Sequence, residues 1–237
     1  MKTIIHKASD RGAKQISWLK SYHSFSFGDY QDPNKMSFGL LRVLNDDYVE
    51  PGMGFGMHGH ENMEIVSIPL YGSLNHQDSM GNDAVIKTGD VQIMSAGTGI
   101  RHAEFNGSKS EAVKFLQIWV FPKQYNIAPR YAQKSFEEAD KHNQFLTVVS
   151  PDQENEQAVW INQDAWFSLA NLDADKELQY DLKGNASGVY IFVLQGQLSV
   201  AEHVLDNRDA IGVYDTTSVV VKAHLDTKLL VIEVPMA

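Results

Sequence analysis

Cysteine is absent from the 237-residue chain, which excludes disulfide staples, thiolate metal sites and thiol nucleophiles together. Long apolar runs are absent too. No stretch reaches the roughly 18 residues of a membrane span, and the opening Met1-Lys2-Thr3-Ile4-Ile5-His6-Lys7 does not carry the apolar core of a signal peptide. A cytoplasmic protein without membrane association is expected. Positive charge is scarce: 20 Lys and Arg stand against 30 Asp and Glu, a net charge of -10, with no basic cluster to offset the average. Direct nucleic-acid binding needs a cationic footprint that releases phosphate counterions, so it is not expected. Helical periodicity is equally scarce. The best candidate is 135–142, with Ser135 as N-cap and Glu138 three residues on. What the chain does have is 43% hydrophobic and 10% aromatic residues, ample for a packed core and opposed to disorder.

Those apolar residues come in short runs, among them Phe38 to Leu44, Glu64 to Leu70, Ala112 to Phe121, Val189 to Leu194 and Leu229 to Val234. Turn signals separate them, including Asn45-Asp46-Asp47, Gly81-Asn82-Asp83 and Gly184-Asn185. Many short strands at this spacing predict an all-β sandwich or barrel. The two halves echo one another. Ile68-Pro69-Leu70-Tyr71-Gly72-Ser73-Leu74 is matched by Phe192-Val193-Leu194-Gln195-Gly196-Gln197-Leu198, with the glycines 124 residues apart. With that offset His58, His60 and Glu64 fall opposite Leu182, Gly184 and Gly188. A duplicated barrel with one working site is expected, divided into residues 1–133 with the site and 134–237 without it.

The candidate site is His58-Gly59-His60-Glu61-Asn62-Met63-Glu64, answered by His102-Ala103-Glu104. Residues two apart on a strand share a face. A strand from Met57 to Ser67 would therefore align His58, His60 and Glu64, and one from Ile100 to Phe105 would align His102 with Glu104. Side by side, two such strands gather three imidazoles and a carboxylate, a ligand set for a transition metal without any sulfur. Met57 and Met63 would face away from the ligands, into the core. His23 and His76 read as hydrogen-bonded structural residues, and Arg101 should point away from His102.

An isolated His-x-His pair says little, but its surroundings here are specific. Gly52, His58, His60, Glu64 and Gly72, followed by Gly99, His102 and Asn106, have the spacing Gly-x5-His-x-His-x3-Glu-x7-Gly and Gly-x2-His-x3-Asn. This closely resembles the two motifs of the cupin superfamily. Gly97 stands where a proline is usual and Glu104 follows His102 by two, a variant that resembles the pirin family. Arg11-Gly12, His23-Ser24-Phe25-Ser26-Phe27, Leu41 to Asp47, His76-Gln77-Asp78-Ser79, Met94 to Glu104 and Pro129-Arg130-Tyr131 agree with that family. The resemblance implies a bicupin of two antiparallel jelly-roll barrels. It implies His58, His60, His102 and Glu104 as ligands of one divalent transition metal, iron first, with Mn, Ni, Co, Cu or Zn as alternatives. Glu64 is a reserve ligand, or a partner that orients a ligating histidine. The resemblance further implies a dioxygenase of the quercetin 2,3-dioxygenase type, acting on a flavonol and O2 with Glu104 as catalytic base. The alternative is an iron-dependent regulator whose partner is a transcription factor and which carries out no catalysis.

Overall fold

The computed structural model describes residues 1–236 and is built of strands in two barrels, each a seven-stranded sheet facing a four-stranded one. In the first barrel the large sheet runs Arg130–Ser135, Asp90–Ser95, Glu64–Tyr71, Val113–Val120, Leu41–Val49, Leu19–His23, Gly12–Gln15. Its small sheet runs Gly54–His60, Ile100–Asn106, Ser73–Asp78, Asp83–Lys87. The second barrel repeats this plan, with Ser187–Gln195, Thr227–Pro235 and Trp166–Leu172 central in its large sheet. The turn glycines that marked the repeat play equivalent parts. Gly72 and Gly196 have φ of +76° and +93°, and a Cβ on either would strike a backbone carbonyl, of Ala112 and Asp226 respectively. No helix among the described residues is long and apolar enough to cross a membrane.

Strand alternation divides the side chains of each large sheet. In Glu64–Tyr71, Val66 and Ile68 join the largest apolar cluster, which also takes Leu116 and Ile118 from the first barrel and Phe167, Phe192, Leu230 and Ile232 from the second. The two large sheets therefore pack back to back through one shared core. The interiors differ. That of the second barrel is filled by aliphatic residues such as Val189, Ile191, Ile211, Val213 and Val231, whereas that of the first holds polar residues at its centre.

Three expectations need correction, and two strands cross a simple division of the chain at 133/134. Lys2–His6 forms the edge of the second barrel's large sheet, paired with Ala210–Tyr214, and Arg130–Ser135 runs past residue 133 as an edge of the first. The helix at 135–142 is absent; Ser135 ends a strand and bonds Asp90, leaving only a 3-10 turn at Ala139–Lys141 without a side-chain cap. Asn45-Asp46-Asp47 is no turn but the middle of Leu41–Val49. Met57 is 48% exposed, because the outer face of its strand meets solvent, while Met63 packs on the cluster of Ile65, Met94, Ala96 and Ile100.

Candidate metal centre

Two neighbouring antiparallel strands of the small sheet build the site. Gly54–His60 and Ile100–Asn106 pair in a register that sets His102 directly opposite His58 and Ile100 opposite His60. Directly opposed residues share a face, so the three imidazoles converge. Their ring centroids lie 4.4 Å (His58–His102), 4.8 Å (His58–His60) and 4.9 Å (His60–His102) apart. One nitrogen from each lies within 4.8 Å of the others, the spacing expected around a single ion.

Past His102 the register shifts by a bulge, so Glu104 faces Phe55. The strands come so close there that a Cβ on Gly54 would lie 2.3 Å from the Glu104 carbonyl oxygen. On its other side Ile100–Asn106 pairs with Ser73–Asp78, which puts Glu104 opposite His76. A carboxylate oxygen of Glu104, a nitrogen of His102 and one of His76 also lie within 4.8 Å of one another.

Protonation favours ligation. His58 Nδ1 donates to the Gly56 carbonyl at 2.8 Å, which makes Nε2 the nitrogen left for an ion. Burial holds His60 down to about 4, assisted by the neighbouring His58, and holds His102 down to about 2, with His58 and His60 adding to the effect. Both rings are therefore neutral near pH 7, the form a metal binds. His102 is buried and neither ring nitrogen has a hydrogen-bond partner among the described residues. Two unpaired nitrogens in a buried ring are costly to leave unsatisfied, and a cation beside His58 and His60 would satisfy one. The donor set thus fits a divalent transition metal.

Glu104 is buried too, and burial pushes its carboxyl up to about 7, while Ser67 and Gln117 oppose the shift. Gln117 Nε2 donates to Oε2 at 2.7 Å, and Ser67 Oγ lies 3.1 Å from Oε1. These residues come from the large sheet across the barrel. Glu64 does not join them. Strand Gly54–His60 ends before it, Asn62 turns the chain at φ 49°, and Glu64 opens a strand of the large sheet. Its carboxylate accepts from Ser95 Oγ at 2.8 Å and from the Asn162 backbone at 3.1 Å, so it serves as a bracket between barrels and not as a reserve ligand or a histidine partner.

His76 contributes more than the sequence indicated. Its Nε2 donates to Asp78 Oδ2 at 3.1 Å, its Nδ1 has no partner among the described residues, and its ring is 5.4 Å from that of His102. The available signal was Asp78 two residues on, on the same face. His23 is bonded to Ser21 Oγ at 2.8 Å, and Arg101 is exposed on the opposite face from His102.

His58, His60 and Glu104 open onto a cavity of about 280 Å³, at the small end of ligand sites. Trp18, Phe27, Phe55 and Trp119 also line it. Trp119 stands edge-on to His60 at 4.9 Å. The chamber is thus an aromatic-walled space with the histidine cluster on one side.

Comparison with known proteins agrees with this geometry. The family model described as Pirin matches residues 6–120, and that described as quercetinase C-terminal cupin domain matches 147–234. The chain is 37% identical over 231 residues to the quercetin 2,3-dioxygenase of Escherichia coli K12, covering 98% of each. It is 38% identical over 222 residues to the pirin-like protein of Caulobacter vibrioides, covering 94% of this chain and 95% of that one. The crystal structure of the bacterial pirin YhhW of Escherichia coli in complex with nickel(II) superimposes with a TM-score of 0.93 at 36% identity over the whole of both chains.

Proposed function

The chain belongs to the pirin family of the cupin superfamily, and on that premise we propose that it is a metal-dependent dioxygenase opening flavonols such as quercetin with O2. The observation that carries this reading is the cluster of three imidazoles, two of which open together with a buried carboxyl onto an aromatic-lined cavity. His58, His60, His102 and Glu104 would hold one divalent transition metal. Iron is proposed as the native one because the reaction consumes oxygen, and nickel(II) is the metal in the complex of the E. coli relative. The metal, when bound, supplies a Lewis acid that lowers the pKa of the substrate's 3-hydroxyl.

The chain's own residues do the rest. Trp18, Phe27, Phe55 and Trp119 give a planar polyphenol apolar surface and keep bulk water off the histidine face. Glu104 takes the 3-hydroxyl proton on a carboxylate oxygen. Burial has raised its carboxyl to about 7, close to the operating pH at which a general base works best. Gln117 and Ser67 steer that carboxylate, so the proton acceptor keeps one position as it changes charge.

The test is reconstitution with iron, manganese, nickel, cobalt or copper, followed by quercetin turnover with and without oxygen. Oxygen-dependent loss of the flavonol absorbance with release of carbon monoxide, abolished in His58→Ala, is expected. A fully metallated protein that turns over no flavonol with any metal would overturn the enzyme reading in favour of a regulatory one.

A further inference from the structure

The first barrel's large sheet carries one polar row across six strands. Gln133, Gln92, Ser67, Gln117, Asn45 and His23 stand directly opposite one another in register, so all share the face that looks into the barrel. The architecture does not require this. In the second barrel the row through Ile191, the position 124 residues after Ser67, reads Ile211, Ile191, Val231, Ser168 and Thr147; its first three places belong to the aliphatic interior, and the two hydroxyls at its far end lie 3.4 Å apart and pair with each other.

Ser67 and Gln117 are accounted for by Glu104. The far end of the row is not. Asn45 Oδ1 and His23 Nδ1 are buried without a hydrogen-bond partner, as is Oδ1 of Asp47, two residues along the same strand face. Ser21 stands opposite Asp47. His23 Nε2 pairs with Ser21 Oγ at 2.8 Å, and in the tautomer that donates from Nε2 the free Nδ1 is an acceptor. Asn45, Asp47 and His23 all line the cavity that holds His58, His60 and Glu104. They begin one strand beyond Gln117, about 4.8 Å further across the barrel.

We propose that Asn45, Asp47 and His23 form an acceptor wall that receives the phenolic hydroxyls of the substrate ring remote from the metal, and so determines which polyhydroxylated aromatic the site selects. This rests on the flavonol reading above. Asn45 Oδ1, Asp47 Oδ1 and His23 Nδ1 match O–H groups, and the Asn45 side-chain N–H can donate back to a phenolic oxygen. They prefer a ring with neighbouring hydroxyls over a bare one, because a bare ring would leave each acceptor buried and unpaired.

The test is binding, read by the fluorescence of Trp18 and Trp119 in the metal-loaded protein. Quercetin, with two hydroxyls on its pendant ring, is compared with galangin, which has none there. The wild-type protein is expected to bind quercetin about tenfold tighter. Asn45→Ala and Asp47→Ala should bring that ratio towards one while leaving galangin affinity in place, and Asp47→Asn, which keeps an acceptor, should retain most of it. Equal affinities in the wild type overturn the wall without recourse to any variant, as does a ratio that survives both alanine changes. If either occurs while quercetin is still turned over, the wall alone fails. If neither flavonol binds, the wall and the proposed function fail together.

Discussion

Glu104 sits where burial and hydrogen bonding pull in opposite directions. Losing water favours its neutral form, and donation from Gln117 and Ser67 favours its charge. Replacing Gln117 with Leu removes the 2.7 Å donor and leaves the carboxylate free to rotate. A metal titration should then show affinity lower by roughly 10- to 100-fold, the usual effect of losing a group that orients a ligand. Away from the site, His6 is buried with Nδ1 on the Tyr190 hydroxyl at 2.8 Å. Burial lowers its pKa from 6.5 to about 4, with Lys35 contributing. The unfolded chain therefore takes up this proton at higher pH than the folded one, and His6 makes the protein lose stability as pH falls from about 6.5 to 4. The urea midpoint of His6→Gln, compared with the wild type at several pH values, should decline less steeply over that window. These two roles were not legible in the sequence. Nothing local pairs residue 104 with 117 or 6 with 190; only the folded sheets do.

At the scale of the strand, the motif spacing predicted the histidine geometry because alternation is a local property. His58, His60 and His102 come together as the period of two requires. The same rule failed for Glu64, since it assumed one strand where Asn62 at φ 49° breaks the chain into two. Asn45-Asp46-Asp47 has the composition of a turn, yet the strand continues through it. Asn45 and Asp47 face the barrel interior and line its cavity, while Asp46 turns to the opposite face and pairs with Arg11 and Arg208, a fact about the barrel and not about the segment. Gly54 shows how tightly the two ligand strands approach. Gly54→Val would drive a side chain into the Glu104 carbonyl and the Phe105 backbone. Overpacking of this kind costs about 1–3 kcal/mol, and it should widen the bulge that aims Glu104. Thermal unfolding and metal titration should both report a loss, whereas Gly56→Ala, with no atom within reach of its Cβ, should alter neither appreciably.

The molecule as a whole is held by a core that neither barrel owns and by a strand exchanged between them. Lys2–His6 completes the second barrel's sheet, and Lys7 follows with an ion pair to Asp209 at 2.7 Å. Deleting residues 1–7 should lower stability on the order of 3 kcal/mol, at roughly 1 kcal/mol for each net hydrogen bond lost, measured by urea unfolding. Because Val66, Leu116, Phe192 and Leu230 share one cluster, fluorescence and circular dichroism should trace a single coincident transition for the full chain. A fragment of residues 8–135 should aggregate, as it would expose its half of that cluster.

The sequence by itself determined the chemistry: an all-β duplicated chain, no sulfur ligands, and three histidines whose strand spacing brings them to one face. Such features are legible because alternation and ligand identity depend on neighbours a few residues away. The tertiary structure decided that Glu104 lies beside His102 and His76, why Glu64 braces the barrels, and that the first strand belongs to the second barrel. It also decided that a row polar from end to end crosses one interior, while its counterpart in the other is aliphatic until Ser168 and Thr147. Each of these depends on register between strands distant in the chain. Register follows from matching the apolar face of one strand to that of its partner, and a single stretch of sequence does not name the partner.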